Sequence, residues 1–173
     1  MPLISAFVER WHPETNSFHL PFGELTITLH DVAYILSIPI TGQAVFGKPV
    51  VSQLKEHLKT TLNISTSEVD NEYRRGSVRL NFIQGCCSSN NLHSSSEAIG
   101  YLLWLLGCTI FVDRSSTSVS PYLLPYLVDL EKVKDYAWGA ACLTYMYRQL
   151  GVASRFDNAQ IAGCLTLLQT HTR

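Results

Sequence analysis

The amino-terminal 42 residues constrain the fold most, because three local signals follow one another directly. Apolar residues at helical spacing occupy residues 3–11, and Pro13 marks where this first helix must have ended. Residues 18–29 then alternate apolar and polar side chains around a Pro-Phe-Gly-Glu turn, a pattern typical of a short β-hairpin. Thr28 and Asp31 have the spacing of a variant capping box, so a second helix is expected to follow the hairpin at once.

The remainder of the chain predicts helices. A second capping box, Ser65 with Glu68, opens one of them. Ser94 with Glu97 is expected to cap another that is apolar nearly all round, and Gly107 is expected to end it. The predicted helices cover residues 52–62, 66–75, 98–106, 122–130, 136–150 and 158–169. The fold class expected from the sequence is therefore mainly α, a helical domain with a small N-terminal β-hairpin.

A stretch rich in serine and asparagine, Gly-Cys-Cys-Ser-Ser-Asn-Asn-Leu-His-Ser-Ser-Ser, divides the chain and has the composition of a mobile surface loop. At 173 residues the length suits one domain. The organisation predicted is a single domain with an N-terminal lobe over about residues 1–84, a loop over residues 85–96 and a C-terminal helical lobe over residues 97–173.

Charge is scarce in this chain. Charged residues make up 16% against the roughly 25% usual for globular chains. Either the fold buries much of the apolar material internally or a missing half or a partner covers it, and the second interpretation is favoured. The net charge of −1 disfavours nonspecific binding to phosphate backbones. The densest basic group, Arg74, Arg75 and Arg79, directly follows acidic residues at positions 68, 70 and 72, and this run of mixed charge is interpreted as a solvated helix face.

Targeting signals are not visible. The amino terminus lacks a basic leader before an apolar core, and the longest apolar stretch, residues 99–112, is shorter than the roughly 20 residues that span a bilayer. An intracellular protein without membrane contact is expected. The five cysteines, an odd number without a secretory signal, are expected to be reduced thiols.

Nine short strings give the chain a family resemblance. They are ERW-x-PET (9–15), FHLP-x-GE (18–24), TITL-x-DVA (26–33), IPI-x-G (38–42), YLLWLLG (101–107), FVDRSS (111–116), YLLPYLVDL (122–130), WGAACLTYMYRQL (138–150) and IAGCLTLLQ (161–169). With them the chain resembles the plant mobile domain, a plant family tied to transposable elements and their silencing. The motif residues interpreted as structural are Glu9, Arg10, Trp11, Glu14, Thr15, Phe18, His19, Gly23, Glu24, Thr28, Asp31, Gly42, Asp113, Trp138 and Gly139.

The chain departs from the family pattern in two respects. Family members usually carry helical sequence before the first motif and continue through a Trp-rich segment, whereas this chain stops shortly after the last string. The resemblance therefore predicts a truncated copy, roughly the first half of a plant mobile domain. Family members also usually place an Arg-Ala pair before the YLL motif, where this chain has Ile99 and Gly100, so a function that depends on that arginine is in doubt.

Two enzyme names attached to the family find no support in the residues. Pyridoxal-phosphate chemistry needs a Schiff-base lysine in a phosphate-binding setting, and none of Lys48, Lys55, Lys59, Lys132 and Lys134 has one. The GD-x-H, GD-x-VDRG and GNHE strings of a two-metal phosphatase do not occur, and Asp113-Arg114 is only superficially similar to them. We therefore predict no enzyme activity, no catalytic residue and no cofactor.

Cysteine and histidine residues offer two weak candidates for a site. Cys86 and Cys87 with His93 lack the spacing of a zinc site and are interpreted as free surface thiols, whereas Cys108, Cys142 and Cys164 are interpreted as core residues. The second candidate, for acid–base work or a metal, combines His12, His19 and His30 with Glu9, Glu14, Glu24 and Asp31. The favoured interpretation is structural, with Glu9, Arg10 and Glu14 forming charge-assisted hydrogen bonds that clamp the first helix to the hairpin.

The resemblance implies a non-catalytic interaction module with a nuclear role in transposon silencing, genome maintenance and the upkeep of meristems and cell division. The partner implied is another plant mobile domain protein or a phosphatase-like one, with nucleic acid contacted only indirectly. The alternatives are a transposon-derived domain that binds nucleic acid, and a truncated gene product without a function. No basic import cluster is visible, so nuclear placement rests on the resemblance, with the cytoplasm as the alternative.

Overall fold

The computed structural model describes residues 2–45, 51–88, 94–155 and 161–171. Its helices are α1 (Pro2–Val8), α2 (Leu29–Leu36), α3 (Val51–Leu62), α4 (Thr66–Glu72), α5 (Leu80–Ser88), α6 (Ser94–Thr109), α7 (Trp138–Ala153) and α8 (Leu165–His171), with 3-10 helices at Pro121–Tyr126 and Val133–Asp135. Its strands are β1 (Trp11–His12), β2 (Ser17–Leu20), β3 (Gly23–Leu25), β4 (Val78–Arg79) and β5 (Ser118–Val119). The prediction of a mainly α fold is confirmed.

The chain forms two compact units, and the first of them joins its two ends. This unit combines Met1–Ala44 with Ala137–Arg173, and the second comprises Val45–Tyr136. In the first unit, β1, β2 and β3 form an antiparallel sheet in that order, with Trp11 opposite Phe18 and His19 opposite Glu24. Helix α2 packs against α7 and α8, and α7 also contacts β1.

The second unit is built around the pair α5 and α6. Helix α6 also contacts α3 and β5, while β4 pairs with β5 in a two-stranded ribbon. Helix α6 packs closely against the ribbon at Gly107, where an added Cβ would lie 2.6 Å from Val119 Cβ. Gly107 therefore serves packing in the interior of α6, and the prediction that it ends the helix is wrong.

The two predicted capping boxes are present, whereas Ser94, predicted to cap a third helix, already lies within α6. The Thr28 hydroxyl accepts a hydrogen bond from the Asp31 amide at 3.3 Å, and Asp31 Oδ2 accepts one from the Thr28 amide at 2.7 Å. Ser65 and Glu68 make the equivalent pair at the start of α4. Each cap provides acceptors for amides at the start of a helix that have no partner within the helix. Because the two capping residues are three positions apart, the pair can be predicted from the sequence.

Several predicted element bounds are wrong. The first helix ends at Val8, so Trp11 begins a strand and the predicted hairpin is a three-stranded sheet. The helix predicted over residues 122–130 is a shorter 3-10 helix, and the one predicted over residues 158–169 begins at Leu165, with residues 156–160 outside the described part. Trp11 is extended because its backbone pairs with Phe18 on β2. In this conformation its ring also contacts that of Phe18.

The predicted lobe boundary differs from the division into units. Helix α5 extends through Ser88 and α6 already begins at Ser94, so only residues 89–93 of the predicted 85–96 loop remain between them, outside the described residues. Both helices belong to the same unit because they pack against each other, with Cys87 Sγ only 2.6 Å from the place of a Cβ on Gly100. The lobes predicted over residues 1–84 and 97–173 therefore do not match the two compact units.

Candidate functional site

Several motif residues of the first unit lie on or beside the three-stranded sheet, where they divide between its two faces. Strand alternation sends Trp11 and Phe18 to one face, while His12, Ser17 and His19 lie on the other. The strings ERW-x-PET and FHLP-x-GE therefore encode one aromatic and one polar face of the same small sheet.

The polar face is a hydrogen-bonded cluster. Ser17, only 6% exposed, donates to Glu24 Oε2 at 3.0 Å and shares a hydrogen bond of 2.7 Å with the Thr15 hydroxyl. His19 Nε2 lies 3.3 Å from Thr15 Oγ1 and 3.4 Å from Glu24 Oε1. Because His19 and Glu24 are direct cross-strand partners, the register of β2 and β3 assembles the cluster.

His12 extends this cluster across β1. Its ring stacks on that of His19 with 3.8 Å between centroids and 13° between planes. His30 lies apart from this pair on α2 and is exposed. In the described parts of the chain no three His, Cys, Asp or Glu side chains stand together as metal ligands would. The cluster thus links three strands through side-chain contacts.

The aromatic face holds the first helix and α7 against the sheet. Phe18 is fully buried, stacks on Phe7 of α1 at 4.1 Å and meets Trp11 edge-on at 4.8 Å. Trp11 in turn contacts Tyr147 of α7 at 5.2 Å. These rings connect three consecutive elements at the amino terminus, α1, β1 and β2, with the distant helix α7.

The predicted ionic clamp is wrong. Glu9, Arg10 and Glu14 are exposed, and their side chains form no ion pair with any described residue. The link between the segment after α1 and the sheet is instead a backbone hydrogen bond, in which the His19 amide donates to the Arg10 carbonyl at 2.9 Å. The ring contacts of Phe7 and Trp11 with Phe18 complete it.

Tyr147, together with Ser17, is a site residue that the sequence interpretation missed. The Tyr147 hydroxyl donates to the Ile27 carbonyl and lies 3.0 Å from Thr26 Oγ1, which itself donates to the Asn16 carbonyl at 2.6 Å. Ser17 was detectable from its alternation with His19, whereas no local signal identifies the partner of Tyr147. This hydroxyl ties α7 to the TITL segment.

Replacing Tyr147 with phenylalanine is expected to lower the free energy of unfolding by about 1 kcal/mol, because the part-buried Ile27 carbonyl loses its donor. Urea unfolding followed by circular dichroism measures the change. Tyr34→Phe is the matched control, since Tyr34 is 90% exposed and its hydroxyl should contribute nothing. Equal losses in both variants would contradict the assigned role.

The other motif residues serve turns and close packing. Gly23 and Gly42 have φ angles of +137° and +129°, as their turns require. Next to Trp138, the Gly139 amide donates to the Pro39 carbonyl at 2.7 Å. In the second unit, Asp113 accepts hydrogen bonds from the Ser115 hydroxyl at 2.8 Å and the Thr117 amide at 3.2 Å, which shapes the turn before β5.

The cysteines differ in part from their prediction. Cys142 and Cys164 are buried as predicted, and a hydrogen bond between their sulfurs together with burial raises the pKa of Cys142. Cys108 is exposed, so its prediction as a core residue is wrong. Cys86 and Cys87 are half-buried on α5 instead of at the surface, and burial raises the pKa of Cys86 to about 11. Their proposed partner His93 lies outside the described residues.

Comparison with known proteins places this geometry in context. The family model of the plant mobile domain matches residues 1–172 of the sequence. Protein MAIN-LIKE 1 of Arabidopsis thaliana is 40% identical over 96% of this chain and 34% of its own length. Protein MAINTENANCE OF MERISTEMS of the same plant is 37% identical over 96% of this chain and 36% of its own length.

A third relative has an enzyme name. Serine/threonine-protein phosphatase 7 long form homolog of Arabidopsis thaliana is 34% identical over 96% of this chain but over 13% of its own length. The chain thus spans about a third of the first two relatives and less of this one. No solved structure matches the chain significantly. Among the helices that the structure describes, none has the length and apolar character needed to cross a membrane.

Proposed function

Because the chain belongs to the plant mobile domain family, we propose that it is a non-catalytic protein-interaction module that acts in the nucleus. Its role is in transposon silencing, genome maintenance and the upkeep of meristems and cell division. The partner is a second plant mobile domain protein or a phosphatase-like protein. Meristem maintenance is in the name of one relative, and a phosphatase in the name of another.

The observation that carries this proposal is that polar side chains of the family motifs form hydrogen bonds within the fold. Thr15, Ser17, His19 and Glu24 bond to one another across the sheet. The Thr28 and Asp31 pair caps a helix. Side chains able to do chemistry are therefore engaged in holding the fold, which suits a module that presents a surface.

Two exposed aromatic residues supply a candidate contact surface. Phe22, at the turn between β2 and β3, is 84% exposed, and Tyr34 on α2 is 90% exposed. Both lie in the first unit and within the region matched by the family model. Aromatic side chains are enriched among the residues that dominate the energy of protein interfaces. We expect these two to contact the partner.

Affinity purification of the tagged chain from nuclease-treated plant nuclei tests the proposal. We expect mass spectrometry to identify a second plant mobile domain or phosphatase-like protein, and expect the Phe22→Ala/Tyr34→Ala variant to recover less of it. Tyr101→Ala is the control, because Tyr101 is a 55% exposed aromatic residue of the second unit. Recovery of chaperones alone, or recovery that requires intact DNA, would contradict the proposal.

A further inference from the structure

An open cavity of about 340 Å³ lies in the first unit, between α7 and the turn that follows β1. Its lining includes Pro13 from the turn, and Arg148, Gly151, Val152 and Arg155 from α7 and the two residues beyond it. Positions 148, 151 and 152 are at helical spacing and so share one side of α7, and Arg155 follows in the turn after the helix. We name this site the arginine cavity.

Gly151 creates the space in the arginine cavity. A Cβ at this position would lie 3.6 Å from Pro13 Cβ and 3.9 Å from Trp11 Nε1, which are ordinary contact distances. The helix would therefore accept alanine here without a clash, and would gain from its better helix propensity. Glycine leaves the floor of the cavity open, at a position where packing does not require it.

Arg148 and Arg155 give the cavity its charge. Both are exposed, and within the described ranges neither takes part in an ion pair or a side-chain hydrogen bond. Each guanidinium carries five donors in a planar fork that suits a carboxylate. Two arginines without an ionic partner among the described residues thus lie beside one cavity, in a chain whose net charge is −1.

An unpaired donor also lies next to the floor. Trp11 is 3% exposed, and its Nε1 is buried with no acceptor among the described residues. This atom lies 3.9 Å from the Cβ position of Gly151. Buried polar groups are normally hydrogen-bonded, and among the described residues this indole N–H and the Tyr73 hydroxyl are the buried side-chain groups without a hydrogen-bond partner.

We propose that the arginine cavity binds an acidic peptide segment of a partner protein. Carboxylates of the segment pair with Arg148 and Arg155, while an apolar side chain between them fills the space over Pro13, Gly151 and Val152. The proposal rests on the proposed function and names the chemistry of the partner. A peptide is favoured over nucleic acid because two cations at one cavity match a few carboxylates, whereas phosphate backbones need an extended basic track.

Fluorescence anisotropy with the full chain tests the proposal. The probe is a fluorescein-labelled peptide with one leucine flanked by two glutamate pairs, and the comparison peptide has glutamines in their place. We expect binding of the glutamate peptide alone, weaker at higher salt. Arg148→Glu and Arg155→Glu should each weaken it about three- to tenfold, because each exchange replaces an attraction with a repulsion at an exposed position. Arg114→Glu, an exposed arginine of the second unit, should leave it unchanged.

Gly151→Ala separates binding from folding. This variant should melt at the same or a higher temperature and yet bind the glutamate peptide less tightly, because its methyl group occupies the cavity floor. Equal binding of both peptides, unchanged binding by the arginine variants, or stronger competition by a single-stranded oligonucleotide than by unlabelled peptide would overturn the proposal.

The nuclear purification distinguishes the two proposals. Undiminished recovery of the partner by the Arg148→Glu/Arg155→Glu variant would overturn the arginine cavity while leaving the interaction module intact. Failure of the unaltered chain to recover any partner, together with peptide binding in solution, would instead count against the proposed function.

Discussion

Replacing Phe18 with alanine should lower the free energy of unfolding by about 3–5 kcal/mol. Phe18 is fully buried and lies between the rings of Phe7 and Trp11, at 4.1 and 4.8 Å. Removal of its side chain leaves a cavity where α1 meets the sheet, next to the ring of Trp11 that contacts α7. Domains of this size are usually stable by only about 5–15 kcal/mol, so the loss is a large fraction of the total. Urea unfolding followed by tryptophan fluorescence measures it.

Phe22 provides the matched control for this experiment. It lies four positions later in the same motif, but its side chain is 84% exposed. Phe22→Ala should therefore change the free energy of unfolding by less than about 0.5 kcal/mol. Similar losses in the two variants would show that the aromatic face of the sheet does not carry the stability assigned to it.

The elements that could be predicted from the sequence are those fixed by local chemistry. Thr28 with Asp31 and Ser65 with Glu68 bond within four residues of chain, so their spacing alone identifies two helix starts. The alternation around the turn at Gly23 likewise identified β2 and β3, because side chains on a strand point alternately to opposite faces.

The elements that could not be predicted depend on distant partners. Trp11 continues a helical pattern, and only its pairing with Phe18 on β2 makes its backbone extended. Glycine often ends a helix, yet Gly107 lies inside α6. Its lack of a side chain instead leaves room for Val119 and Leu80, which approach it closely. Cys108, next to it in an apolar run, is exposed because it lies on the other side of that helix.

The residues of the candidate site likewise divide into those that local sequence predicts and those that depend on distant partners. The motif residues Thr15, His19 and Glu24 were identified from the sequence, and strand register brings them together. The ionic clamp of Arg10 was not found, because exposed charges pair weakly and gain little from a fixed geometry. The contact of Tyr147 with Ile27 joins residues 120 positions apart, a separation that no local pattern encodes.

Gly139 lies where α7 closely approaches the loop after α2, and Gly139→Ala is expected to lower the free energy of unfolding by about 2–3 kcal/mol. An added Cβ would lie 2.8 Å from Ile40 Cγ2 and 3.1 Å from the Pro39 carbonyl oxygen, which the Gly139 amide holds in place. Gly85→Ala in α5 is the control, because no atom lies within 4 Å of its Cβ position and alanine should raise stability by up to about 1 kcal/mol. Urea unfolding should thus show changes of opposite sign, and a stabilised Gly139→Ala variant would contradict the close approach.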